Sequence, residues 1–335
     1  MRVAMLSPIA WRTPPRHYGP WERVVSLITE GLVKENIDVT LYATCDSLTS
    51  GKLRGVCKTP YGEDENVDAK VWEALHISEL MEHAGEFDII HNNYDFLPLT
   101  YSDLIKTPMV TTIHGFSSEK IMPVYKKYNK NTNYVSISNA DRSSDLDYIR
   151  TVYHGIDLDN FTFNEASGDY LVYFGRVHPD KGTWEAIQVA KRAKMKLVIA
   201  GIIQDKAYYE EKIKPYLNDD ITYIGNVGPK ERDSVLRNAF ALLHPISFSE
   251  PFGLSVVEAM ACGTPVIAFR KGSMPEIIED GKNGFIVSNV EEMVERLKEI
   301  NTISRKACRD TVEQRFSQAK MVKEYIEVYK EILSK

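Results

Sequence analysis

A chain of 335 residues is long for one domain and comfortable for two, each with its own core. Its composition, 43% hydrophobic and 26% charged, is that of a soluble globular protein, and no apolar run reaches the roughly 18 residues of a membrane-spanning helix. A formal net charge of −6 argues against a general nucleic-acid binder, while leaving room for a local basic pocket.

Arg2–Ser7 reads as a first strand, and the start Met1–Pro8 is too short and too strand-like for a signal peptide. The loop Pro8–Gly19 follows, with Arg12, Arg16 and His17 as candidates to line a binding site. From Pro20 a helix is expected, because Trp21, Val24, Val25, Ile28 and Leu32 recur at helical spacing. Asp38–Ala43 is the next strand, so the order is that of a doubly wound sheet. No Gly-x-Gly-x-x-Gly follows the first strand, which weakens a dehydrogenase reading. Ser47–Asn66 is expected to be an irregular connection and Val67–Ala84 a helix. Phe87–Asn93 is a strand ending in polar groups, and His91, Asn92 and Asn93 are acceptor candidates there; a buried structural histidine is the plainer alternative. Pro108–Gly115 is a strand ending in His114. Ser117–Asn129 is a basic helix (Lys120, Lys126, Lys127, with Lys130 beyond), read as a solvated face or as a surface for an anionic acceptor or a membrane. Tyr134–Ser138 is a strand, with Asn139 expected to cap a short helix. Arg150–Tyr153 closes the first half, and the polar stretch from about Asp157 to Gly168 is expected to hold the domain boundary.

Tyr170–Val177 restarts the β/α alternation. Arg176 and Lys181 flank a glycine-bounded turn before the helix Thr183–Ala193, where a planar fork and a mobile ammonium can converge on a diphosphate. Lys196–Gly201 and Ile221–Val227 are strands around a charged helix, Lys206–Leu217, and Pro229–Ala239 is a further helix. Ala241–Ile246 is a buried strand. Pro251 is expected at or just before the first helical position, with the N–H groups of Phe252, Gly253 and Leu254 pointing out as an anion site. Glu250 and Glu258 flank that helix start and suit hydroxyl groups, so a phosphate with hydroxyls on either side, a nucleotide-sugar, fits the loop. On spacing alone, Glu258 is equally compatible with a solvated helix position. Gly284–Val287 is a last strand, followed by helices Val290–Ile300, Ser304–Arg315 and Ser317–Leu333. Cys45, Cys57, Cys262 and Cys308 have neither a Cys-x-x-Cys nor metal-ligand spacing and read as reduced thiols of a cytoplasmic protein.

The setting Ser249-Glu-Pro-Phe-Gly-Leu-x-x-x-Glu258-Ala-Met-Ala-x-Gly-x-Pro-Val resembles the signature of the retaining GT-B glycosyltransferases of family 4. Tyr18-Gly19-Pro20-Trp21-Glu22 resembles that family's N-terminal glycine loop, with Pro20 in place of the second glycine. His154-Gly-Ile-Asp157 resembles its interdomain Asn-Gly-Val-Asp, and Arg270-Lys-Gly-Ser-Met-Pro-Glu276 its Gly-Gly-x-Pro-Glu, with Ser273 as the second glycine. The resemblance implies an α/β fold of two Rossmann-like domains facing across a cleft. Residues 1–157 would bind acceptor and residues 168–317 donor, the last helix (about 318–335) returning to the N-terminal domain. It implies donor binding by Gly19, Arg176, Lys181, Glu250, Phe252, Gly253, Leu254 and Glu258, the last holding the ribose, with His114 beside the sugar. His114, Arg176, Lys181 and Glu250 are accordingly the catalytic candidates.

The implied reaction moves a hexosyl group from a UDP- or GDP-sugar to a hydroxyl acceptor, with retention and by front-face attack. No cofactor or metal is expected, since Arg176, Lys181 and backbone amides would carry the diphosphate charge and no Asp-x-Asp stands at a strand end. A sugar phosphorylase using sugar 1-phosphate is the alternative, ahead of a GT-B epimerase and a non-catalytic sugar-binding protein. No nucleic-acid partner is expected, and a peripheral membrane contact stays open.

Overall fold

The apolar runs of the first half become seven parallel strands: β1 (Arg2–Leu6), β2 (Asp38–Tyr42), β3 (Lys52–Arg54), β4 (Ile89–Asn92), β5 (Met109–Ile113), β6 (Asn133–Ser136) and β7 (Tyr148–Thr151). Those of the second half become six: β8 (Tyr170–Phe174), β9 (Lys196–Ala200), β10 (Ile221–Tyr223), β11 (Ala241–His244), β12 (Val266–Phe269) and β13 (Gly284–Val287). The computed structural model describes every residue, Met1–Lys335. The chain divides into two units, Met1–Gly155 with Gln318–Lys335, and Ile156–Ser317.

In the first unit the strand order is β3-β2-β1-β4-β5-β6-β7, and in the second β10-β9-β8-β11-β12-β13. Each order reverses once, between β1 and β4 and between β8 and β11. Such reversals leave a crevice at the carboxyl ends of the strands, where open α/β sheets take ligands. The central strands β4, β5 and β11 are buried along their whole length, which is why they read as continuous apolar runs rather than as alternating ones.

The helix Pro20–Lys34 buries Val24, Val25, Ile28 and Leu32, the stripe its spacing predicts. The last helix, Gln318–Leu333, packs on it within the first unit. Gly31 allows that approach: a Cβ there would lie 2.3 Å from Val322 Cγ2. Tyr325 and Tyr329 carry the same helix into the core, their hydroxyls meeting Thr112 (2.9 Å) and His91 (2.7 Å).

Several expectations are corrected. Ser47–Asn66 contains the edge strand β3, too short for periodicity to register. No helix follows Asn139. Its side chain instead accepts from Thr151 Oγ1 at 2.8 Å and donates to Tyr153 Oη at 3.3 Å, tying it to the next strand and its continuation. Lys206–Leu217 is helical but irregular, passing through a wide turn at Tyr209–Ile213 into a tight one at Lys214–Tyr216. Pro215 has no N–H for the regular ladder. The division between units falls at Gly155/Ile156, just ahead of the polar stretch. That stretch is anchored in the second unit by buried Phe161 and by Thr162 N–H donating to Asp233 at 2.7 Å. The basic stretch is α-helical only over Met122–Tyr128, after a tight turn at Glu119–Ile121. Lys126 on that helix and Lys130 beyond it pair with Asp145 and Asp147, each at 2.6 Å, so the patch is partly neutralised.

Candidate functional site

In the second unit the loops after β8 and β11 meet at the strand-order reversal. Strand β11 ends at His244, and the chain then turns through Pro245–Gly253 before the helix Leu254–Ala261. The helix begins later than its sequence suggests. Pro251 lies in the loop, because Gly253 caps the helix with φ +88°, a left-handed conformation that breaks the helical path. The N–H groups of Gly253, Leu254 and Ser255 make no backbone hydrogen bond, whereas those of Val256 and Val257 turn back to the Gly253 carbonyl at 3.0 and 3.4 Å. The helix start is therefore an open anion site. Phe252 is buried, its ring edge-on to Phe316 at 5.8 Å.

A second turn clamps this loop. Ser273 N–H donates to the Glu250 carbonyl at 2.9 Å, and Ser273 Oγ donates to the Phe252 carbonyl at 2.8 Å. The serine that replaces a glycine of the motif thus fixes the backbone of the Glu250–Phe252 turn. Gly272 beside it has φ +52°, and a Cβ there would sit 2.2 Å from the Glu250 carbonyl oxygen.

Lys181 and Glu250, distant in sequence, form an ion pair at 2.7 Å with side chains 16% and 13% exposed. The Lys181 ammonium also lies 4.3 Å from the centre of the Phe248 ring. Arg176 donates to Gln204 Oε1 and faces Asp180 at 3.9 Å. Glu258 is buried and meets Arg232 Nη1 at 3.1 Å. Burial pushes its carboxyl up, and the guanidinium opposes that. Arg232, Gln204 and His244 carry this site and were not singled out from sequence. Arg232 shares a helical face with Leu236, so a cation in an apolar stripe was the only signal. His244, buried, has Nε2 3.8 Å from Glu250 Oε2, and burial takes it down to about 4, so the ring is neutral.

In the first unit Gly19 is buried and directly precedes the helix Pro20–Lys34. Glu22 lies beneath the loop, 3% exposed, and accepts from Trp11 N–H at 3.2 Å. Burial raises its carboxyl to about 7, against the two backbone hydrogen bonds that lower it. His114 is buried and stacked on Trp21 at 5.6 Å. Its Nε2–H donates to Asn93 Oδ1 at 2.9 Å, and its Nδ1 faces His154 Nε2 at 3.3 Å. Burial depresses it to about 3. His114 is thus a neutral ring with both nitrogens engaged within the first unit.

The acceptor candidates at the end of β4 are fully buried and hydrogen-bonded within the fold. His91 uses Nδ1 on Tyr329 and Nε2 on Thr112, both at 2.7 Å. Asn92 donates to the Asp95 carbonyl and Thr111 Oγ1 and accepts from Tyr94 N–H. Asn93 is the support of His114. Arg16 is spent on Asp46 at 2.9 Å and on Glu63. Arg12 folds back on the Pro14 carbonyl at 3.0 Å, while His17 is exposed.

A family model described as glycosyl transferases group 1 matches residues 159–332. An uncharacterized glycosyltransferase of Methanocaldococcus jannaschii is 26% identical over 357 residues, covering 95% of this chain and 97% of that protein. Among solved structures, sucrose-phosphate synthase from Thermosynechococcus elongatus superposes with a TM-score of 0.82 at 18% identity, covering 100% of this chain and 99% of the other. HepE of Anabaena, solved in complex with UDP-glucose, gives a TM-score of 0.74 at 17% identity, covering 99% and 100%. At these identities the structural likenesses establish the fold, two Rossmann-like domains of the GT-B kind.

Proposed function

Because the chain belongs to the glycosyl transferases group 1 family and is a glycosyltransferase, we propose that it moves a hexosyl group from a nucleoside diphosphate sugar to a hydroxyl acceptor, with retention and without a metal ion. The observation that carries this reading is the loop Glu250–Glu258. Its helix start presents open N–H groups, and Lys181 stands beside Glu250 at the same strand-order reversal. The open N–H groups and Lys181 suit a diphosphate, with Arg176 on the adjoining turn, while the two carboxylates suit hydroxyls of sugar and ribose. The first unit binds the acceptor in this reading.

The departing diphosphate concentrates negative charge as the glycosidic bond breaks. Preorganised amides and a partly buried ammonium stabilise that charge without reorganising, and one such donor is worth roughly 3–4 kcal/mol of barrier. No protein nucleophile is invoked: the acceptor hydroxyl attacks from the face the diphosphate leaves and gives its proton to the departing phosphate oxygen as the glycosidic bond breaks. The relative solved with UDP-glucose supports a nucleotide-sugar donor.

The test is thermal unfolding with UDP, GDP, ADP and TDP, with magnesium and with chelator, on the wild type and Lys181→Met. One nucleotide should raise the midpoint of the wild type regardless of magnesium, by mass action on the folded state, and should fail on the variant. Turnover with the matching nucleotide-sugar should give a product of unchanged anomeric configuration by NMR. Stabilisation by sugar 1-phosphates and by no nucleotide would overturn the reading in favour of phosphorolysis.

A further inference from the structure

His244 ends strand β11, and its Nε2 is buried with no hydrogen-bond partner, 3.8 Å from Glu250 Oε2. That is beyond hydrogen-bond range, and the same oxygen is held at 2.7 Å by the Lys181 ammonium. Two donors therefore address one carboxylate oxygen, and only Lys181 reaches it. A buried polar nitrogen left without a partner is costly unless another state of the site supplies one.

The donor-site assignment above creates that other state. A diphosphate seated on the open N–H groups draws Lys181, a flexible cation, away from Glu250 and off the Phe248 ring. The carboxylate would then be only 13% exposed with its cation gone. Resting on that assignment, we propose that His244 is a positioning residue for Glu250. When the diphosphate takes Lys181, the Glu250 carboxylate closes the remaining distance to the His244 Nε2–H and accepts from it. One oxygen is thereby held, and the other is left to accept from hydroxyls of the transferred sugar. Because Lys181 and Glu250 pair with each other, donor binding is an exchange of partners rather than an addition. The Ser273 and Gly272 clamp on the Glu250 backbone confines that exchange to the side chain.

The prediction concerns the sugar, not the nucleotide. His244→Phe removes the N–H at similar volume, and His244→Gln restores an N–H at the matching reach. Calorimetric titration of the pairs UDP and UDP-glucose, GDP and GDP-mannose, and ADP and ADP-glucose measures the gain in affinity that the sugar adds. For the pair that binds, His244→Phe should leave the nucleoside diphosphate within about twofold. It should weaken the nucleotide-sugar roughly tenfold or more, the size of one hydrogen bond to a charged group. His244→Gln should recover most of that loss. Should His244→Phe not fold, His244→Asn, too short to reach Glu250, carries the same expectation. A variant that weakens both ligands equally, weakens neither, or is not rescued by glutamine overturns the role of His244 while the donor assignment stands. A wild type that binds none of the pairs overturns the donor assignment, and this inference with it.

Discussion

Replacing Arg232 with methionine tests whether the Glu258 carboxylate depends on a cation of its own chain. Arg232 Nη1 lies 3.1 Å from Glu258 Oε1, with side chains 9% and 4% exposed, and its guanidinium sits 5.2 Å from the centre of the Phe161 ring. Methionine keeps the apolar stem against Phe161 and removes the charge. Losing one partner of a buried pair costs about 3–5 kcal/mol. The Arg232 Nε is itself buried without a hydrogen bond, so its removal returns some desolvation and places the cost near the low end. For a unit of this size each kcal/mol moves the midpoint by about 2–4 °C, so the second unit should melt about 6–12 °C lower. The loss should depend on pH. Burial already raises the Glu258 carboxyl and Arg232 opposes it, so the variant's carboxyl rises further. A group raised in the folded state stabilises fully below its unfolded value and loses that contribution as pH rises through the folded one. The deficit of Arg232→Met should therefore be small near pH 5 and grow toward pH 8. Adding Glu258→Gln should recover most of it. Urea or thermal unfolding across that range decides the matter. A deficit that is the same at pH 5 and pH 8, or that glutamine does not relieve, would refute the reasoning.

Gly272→Ala should raise KM for the nucleotide-sugar at least tenfold in steady-state assays, because its Cβ would meet the Glu250 carbonyl at 2.2 Å; a wild-type KM would remove the clamp from the site. Glu22, raised by burial to about 7, withdraws stability as pH climbs from the ordinary carboxyl range through 7. Glu22→Gln should therefore match the wild type near pH 5 and exceed it by about 2–3 kcal/mol at pH 8, read from unfolding curves. His91→Ala should cost the first unit about 3 kcal/mol through a cavity and two lost hydrogen bonds, with nucleotide affinity unchanged in titrations.

What the sequence revealed and what it hid divide along one physical line. Local signals were legible. Parallel strands buried on both faces announce themselves as apolar runs, the helix from Pro20 by its period, and the Glu250–Glu258 loop by its motif. Partnerships across the sheet were not legible, because each depends on which strand ends the topology places together. His91, Asn92 and Asn93 carry donors and acceptors at a strand end, as a ligand site does. In the fold, Tyr329 returns on the last helix to consume one His91 nitrogen, and Thr112 on β5 takes the other. Asn93 and His154, the partners of His114, come from other strand ends in the same way. The reverse error hid Arg232 and His244, which sit in an apolar stripe and at the end of an apolar strand and so resemble misplaced core positions. Both face a carboxylate of the Glu250–Glu258 stretch. A carboxylate that stays ionised at low exposure needs a cation or donor from the fold, so a motif that buries Glu258 and nearly buries Glu250 implies partners elsewhere in the chain. In such motifs the next residues to seek are basic side chains on the apolar faces of neighbouring elements, where composition alone expects leucine.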